Sequence, residues 1–232
     1  MPPQNVECET HIQDLKHQQE SSPLDISLVG MATTMPVISV VDYDPAWPDH
    51  FKQIAEKLSY YLNICGVEYL TIEHVGSTAV AGLIAKPIID IIIEVPDACN
   101  AELAKEALVH EPPPEAHYKC IGDGGIRGRL SMKFQGQRVV PSQSVQNPEG
   151  RLIMRCHRAL RDTLRMPEHE SLKKAYGQTK IELASSSQHS LEYGQKKNPI
   201  IRRLLRAAGW TDADIDKKER LDYRAPRDDL PY

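Results

Sequence analysis

The sequence predicts an α/β fold bordering on α+β, with a mixed sheet flanked by helices and a helical C-terminal half. Three observations carry this. Short alternating or apolar runs interleave with helical spacing between residues 37 and 109. The run "PIIDIIIEV" is apolar on both faces, as a central strand must be. From Pro148 to Ala208 the apolar spacing is helical. The chain has 232 residues, and a hydrophobic content of 41% supports a sizeable core.

Residues 1–36 are polar and aperiodic and are expected to form a flexible leader. The folded domain is expected over 37–208. It opens with "VISVVDYD", an alternating strand. A helix follows from about Pro48, with Phe51, Ile54, Leu58 and Leu62 on one stripe and Gly66 near its end. "VEYLTIEHVG" reads as the second strand and "IAKPIIDIIIEV" as the third. A helix near 98–109 leads into a loop rich in proline and glycine around a short strand. "LSMKFQG" and "QRVVPSQSV" form a hairpin across Gly136. Pro141 places its second member at an edge or bulge. Three helices are expected, over about 150–165, 168–184 and 197–208. Residues 209–232 form a charged tail expected to be loosely attached.

The composition excludes several functions. The formal charge is −4. The basic residues of the C-terminal half lack interleaved aromatics, so no nucleic-acid partner is expected. No run is long and apolar enough for a bilayer, and no membrane partner is expected. Five cysteines without metal-ligand spacing read as reduced, and the location expected is cytoplasmic.

The chemistry concentrates in "EHVGSTAVAGLIAKPIID". A Gly76-Ser77 turn after a strand lets backbone approach a phosphate, and the serine adds a hydroxyl. Asp90, on the next strand, is a carboxylate inside an apolar run. Burying it without a cation or donors costs several kcal/mol, so a partner is required. Such an acid can hold a metal against a phosphate. His74 precedes the turn and suits proton transfer near neutral pH. Alternation places Glu73 on the opposite strand face. On the helix after Pro148, Ile153, Cys156, Leu160 and Leu164 form the apolar stripe. Arg151, Arg155, Arg158 and Arg165 lie opposite it and read as a solvated face. Arg161 sits on the flank, where a guanidinium can reach over a cleft.

The segments "ISVVDYDPAWPDHF", "IEHVGSTAVAGLIAKPIIDI", "IRGR", "LRDTLR" and "YGQKKNPII" together resemble the GrpB family, from about Val37 to Ala208. That family in turn resembles the DNA polymerase beta-like nucleotidyltransferase superfamily in fold. The resemblance implies a cleft in which Asp90 holds Mg²⁺. Gly76, Ser77, Thr78 and Lys86 lie in its most specific block. Arg129, Arg161, Lys180, Tyr193 and Lys197 match positions that would neutralise an anionic ligand, such as a nucleoside triphosphate. Asp90, His74 and Glu73 are the catalytic candidates.

The sequence departs from the superfamily pattern at two places. The second acid should stand two residues after Asp90, on the same strand face; Ile92 stands there. Glu94 lies on that face about 13 Å along an extended strand. Ser142 and Ser144 occupy the region of the third acid, and neutral serines are poor Mg²⁺ ligands. Three functions remain open: nucleotidyl or phosphoryl transfer, metal-independent acid–base chemistry on a small organic substrate, and binding of a nucleotide without turnover.

Overall fold

A computed structural model describes residues 38–113, 116–143 and 147–223. The described residues belong to one unit, Val37–Tyr232. The expected leader, Ser144 and the last part of the expected tail lie outside the described residues.

Five strands form one mixed sheet in the order β1-β2-β5-β4-β3. They are β1 (Thr71–Val75), β2 (Ile89–Val95), β3 (Lys119–Cys120), β4 (Met132–Phe134) and β5 (Gln137–Gln143). Only the β2–β5 pair is parallel. The expected strand over 37–44 shrinks to one bridge between Val41 and Ala85. Its partner segment is a loop broken by Gly82, at positive φ, and by Pro87, so no ladder can extend there.

The hairpin across Gly136 forms as expected, but β5 lies inside the sheet, not at its edge. Pro141 is tolerated because β4 ends before reaching it. The Leu130 N–H donates to the Pro141 carbonyl at 3.0 Å, and no N–H is required in return.

Seven helices are described: α1 (Trp47–Ile64), α2 (Ala98–His110), α3 (Pro148–Arg165), α4 (Glu170–Ser186), α5 (Ser190–Lys196), α6 (Asn198–Ala207) and α7 (Asp212–Asp222). Local chemistry sets their starts. Pro48 sits in the first turn of α1, the Asp97 carboxylate caps α2, and the Asn147 side chain accepts from the Glu149 and Gly150 N–H groups at the start of α3. Helices α1 and α2 cover one face of the sheet; α3 crosses the other and carries the remaining helices.

The segment beyond Ala208 was expected to be loosely attached, but it contains α7. Thr211 caps that helix, and Ile215 and Leu221 are buried against α3 and α6. Two apolar anchors suffice because the rest of α7 is held by charge: Arg202 pairs with Asp216 and Glu219. Cys65, Cys120 and Cys156 are free thiols. Cys99 is disulfide-bonded, against the expectation of five reduced cysteines. Among the described residues no helix is long and apolar enough to cross a membrane.

Candidate functional site

Alternation divides β1, β2 and β5 between the two faces of the sheet. Asp90, Ile92 and Glu94 share the face under α3 with Glu73 and Val75 of β1 and with Arg138, Val140 and Ser142 of β5. Gly76 is held at φ 72°, and a Cβ there would stand 2.5 Å from the Asp90 carboxylate. The glycine therefore permits close approach of the turn to Asp90.

Two cavities meet at this point, sharing Ser77, Asp90, Arg138 and Lys197 in their walls. The outer lobe measures about 640 Å³ and opens toward the β4–β5 hairpin. Lys86, Lys119, Lys133, Lys180, Lys197 and Arg138 line it, with Asp90 the one carboxylate. The inner lobe, about 270 Å³, lies beneath α3 and α7. Its charged lining is Arg129, Arg138, Arg161, Lys197 and Lys218 against Asp90 and Asp222.

Lysines dominate the outer lobe, and burial tunes them. Lys180 on α4 is 2% exposed. Its amine donates to Ser77 Oγ at 2.6 Å and to the Ile84 carbonyl at 2.7 Å. Burial and then Lys197 pull its pKa down to about 6, against the attraction of Asp90. Lys197 is lowered to about 8 by burial, with Arg138 and Lys218 adding to the effect and Asp90 opposing it. The ammonium groups of Lys86 and Lys197 stand over the Tyr193 ring, 5.4 and 4.6 Å from its centre. Lys86 is lowered too, first by burial and then by Lys197.

The sheet end near β1 is closed by ion pairs. Arg158 Nε donates to Glu73 at 2.8 Å, and its terminal nitrogen pairs with Glu94 at 2.5 Å. Arg161 pairs with Glu73 at 2.9 Å and donates to the His74 carbonyl. Burial pushes the Glu73 pKa up, but Arg158 and Arg161 outweigh it and leave it lowered. Arg158 and Arg165 were expected on a solvated face. Instead Arg158 reaches over the sheet, and Arg165 donates to the Ala79 carbonyl at 2.7 Å. Long side chains on the flank of α3 reach partners that the apolar stripe alone does not reveal.

The predicted residues thus separate. Thr78, Lys86, Lys180 and Tyr193 line the outer lobe, Gly76, Arg129 and Arg161 the inner one, and Ser77, Asp90 and Lys197 both. Thr78 is nonetheless committed to the fold, since its hydroxyl donates to the Ile88 carbonyl and meets His74 Nε2 at 3.0 Å. His74 lies on the other sheet face, stacked on Phe51 with ring centres 4.8 Å apart. Burial, then Arg165, lowers its pKa to about 4. Neither lobe includes His74 or Glu73 in its lining.

Sequence reasoning missed Arg138, His157, Lys218 and Asp222. Arg138 had a readable signal, as a charge beside "VV" in a strand next to the Asp90 strand. Its Nε lies 2.8 Å from Asp90 Oδ1, an ion pair whose angle is not that of a hydrogen bond.

Arg138 bears on the metal. The β5 position beside Asp90 carries a cation, and Ile92 is buried against Val75 and Met154. Ser142 is buried farther along, opposite Glu94. Among the described residues no group of three or more His, Cys, Asp or Glu side chains could hold a metal ion. The donor set does not fit a Mg²⁺ centre held by several protein carboxylates.

The family model for the GrpB protein matches residues 37–207. The chain belongs to the GrpB family. A crystal structure of the GrpB protein from Enterococcus faecalis superposes with a TM-score of 0.60 at 27% identity, covering 77% of this chain and 98% of that one. The UPF0157 protein YqkA of Bacillus subtilis is 28% identical over 166 residues, covering 71% of this chain and 45% of the relative. A UPF0157 protein of Pseudomonas aeruginosa is 56% identical over 59 residues, 25% of this chain and 23% of that one. A dephospho-CoA kinase of Mycobacterium tuberculosis is 37% identical over 73 residues, 30% of this chain but 17% of that enzyme. The matched segments span less than half the length of these curated relatives. Helix α7, which brings Lys218 and Asp222 to the inner lobe, lies beyond the segment that the GrpB family model covers.

Proposed function

We propose that this GrpB-family chain binds a phosphorylated small molecule, a nucleotide or a CoA-like phosphate, in the outer lobe, and that its chemistry is phosphoryl or nucleotidyl transfer. One observation carries the reading: five lysines and Arg138 face one carboxylate around a cavity large enough for such a ligand. Burying like charges together is unfavourable, and an anionic ligand relieves it. The Gly76-Ser77 turn against Asp90 supports a nucleotidyltransferase-like site, and the partial similarity to a dephospho-CoA kinase supports phosphoryl chemistry. In this reading Lys86, Lys133 and Lys197 neutralise the phosphates. Lys180 holds Ser77 in place.

Arg138 favours a second reading, in which the reaction is acid–base chemistry without a metal. Arg138 stands against Asp90 where a metal would otherwise sit, and Lys180, with its pKa pulled down to about 6, is a stronger candidate base than the buried His74.

Thermal unfolding against ATP, GTP, CTP, UTP and CoA, each with Mg²⁺ and with EDTA, tests both. A ligand at ~100 times its dissociation constant adds about 2.7 kcal/mol of stability. The expected result is a shift with at least one phosphorylated ligand that persists in EDTA. No shift with any of them overturns the first reading. A shift abolished by EDTA overturns the second.

A further inference from the structure

The inner lobe is a separate concentration of positive charge. Arg129 enters it from the glycine-rich loop before β4. Its Nε is buried and meets no hydrogen-bond partner. Gly124 makes room for it: at φ +61°, a Cβ there would lie 2.6 Å from the Arg129 terminal nitrogen. Burial and Arg138 pull the Arg129 pKa down to about 10, against the attraction of Asp123 and Asp222. Lys218 comes from α7 and is paired with Asp222. His157 borders the same space from α3. Burial and then four cations, Arg138, Arg129, Lys218 and Lys197, hold its pKa near 3, so its ring is neutral and available as a hydrogen-bond partner. Arg161 also lines the lobe, but Glu73 and Asp162 already occupy it.

A half-buried guanidinium whose Nε–H is buried and unmatched is costly, and planar donors of this kind match phosphate oxygens. The volume of about 270 Å³ is too small for a nucleotide but ample for one phosphoryl group. The lobe joins the outer one beside Asp90 and Arg138.

We propose that the inner lobe is a binding site for a phosphate group, built on Arg129 with Lys218 and His157, and that the substrate class of the site is a small molecule bearing two separated phosphates. The inner phosphate group would come either from the far end of that ligand or from free orthophosphate. The two-phosphate assignment rests on the reading of the outer lobe; the inner phosphate site does not.

Calorimetric titration of the full chain tests it with orthophosphate, adenosine 5′-monophosphate and adenosine 3′,5′-bisphosphate. Orthophosphate is expected to bind. R129M should weaken it by about tenfold or more, the loss of one charge-assisted contact, and R129K should restore part of the affinity. K133M removes a lysine of the outer lobe alone, so orthophosphate affinity that falls with K133M as far as with R129M would place the ion in the outer lobe and overturn the inner site. The bisphosphate should bind about tenfold or more tightly than the monophosphate, and R129M should erase that gain. No orthophosphate binding, or binding indifferent to R129M and R129K, overturns the site. Orthophosphate binding that depends on Arg129 without any preference for the bisphosphate keeps the inner site and overturns the two-phosphate ligand. If neither adenosine ligand binds while orthophosphate does, the outer-lobe reading falls and the inner site stands. Should R129M fail to fold, R129K and K218M carry the same comparison.

Discussion

The two ends of one sheet face handle charge in opposite ways. Near β1, Glu73 and Glu94 are matched by Arg158 and Arg161 in a closed network. Near β5, Asp90 faces Arg138 and a ring of lysines, with Asp222 the one further carboxylate in the lining of the cavities that open there. Ile92, Val75 and Met154 form the apolar divider between them. The matched end holds α3 on the sheet. The mismatched end has more cations than carboxylates in its lining, and in the proposed reading an anionic ligand supplies the balance. Charge count alone does not separate the two roles, because both ends are rich in arginine. What separates them is whether the protein itself supplies the counterions.

The largest expected effect comes from breaching the divider. Ile92→Asp places a carboxylate against Met154 and Val75, and should destabilise the fold by about 3–5 kcal/mol in urea unfolding. A smaller loss with a gain of Mg²⁺ affinity would show that the divider still accommodates a second acid. Next comes Arg158→Met, which removes one guanidinium from Glu73 and Glu94 and leaves Arg161 on Glu73. These groups are partly solvated, so a loss of about 2 kcal/mol is expected. A neutral result would mean that the network is ornamental and the contrast between the ends is false.

At the mismatched end the sign reverses. Lys197→Met should leave the unliganded protein as stable or up to about 1 kcal/mol more so, while weakening phosphorylated ligands by about tenfold. The pH dependence follows. Folded Lys197 titrates near 8, against 10.5 for an unperturbed lysine. Between those values the unfolded chain holds more protons, so wild-type stability should rise as pH climbs from 8 toward 10.5. Ligand affinity should fall over the same window, and Lys197→Met should flatten both trends. The smallest effect is expected for Gly124→Ala, about 1 kcal/mol from strain at positive φ. It should also displace Arg129 and reduce orthophosphate affinity.

The sheet and most helices were legible because periodicity is local. Asp90 was legible because a carboxylate in "PIIDIII" breaks an apolar pattern. The divider was half legible: Ile92 was recognised as a missing acid, but Met154, which it packs against, is 62 positions away along the chain. Glu94 was rightly read as too far along the strand to share an ion with Asp90, yet its partner Arg158 was assigned to solvent. Helix polarity gives direction but not reach, and an arginine spans the distance from a helix flank to a sheet. The α7 helix was missed because its apolar content is low. Its start was nonetheless written in "TDADID", a capping threonine followed by acids in the first turn. His74 shows the opposite error. Proximity to the turn suggested catalysis, while alternation turned its ring to the other face.

Helix α7 has a consequence for how function is inherited within the family. Two GrpB relatives could agree at every position that the family model covers and still differ in what closes the inner lobe. A substrate established for one member would then say little about another whose chain continues differently after residue 207. If the inner lobe holds part of the ligand, specificity can diverge by exchanging the one helix beyond residue 207 while the sheet, the turn and the lysine ring stay unchanged.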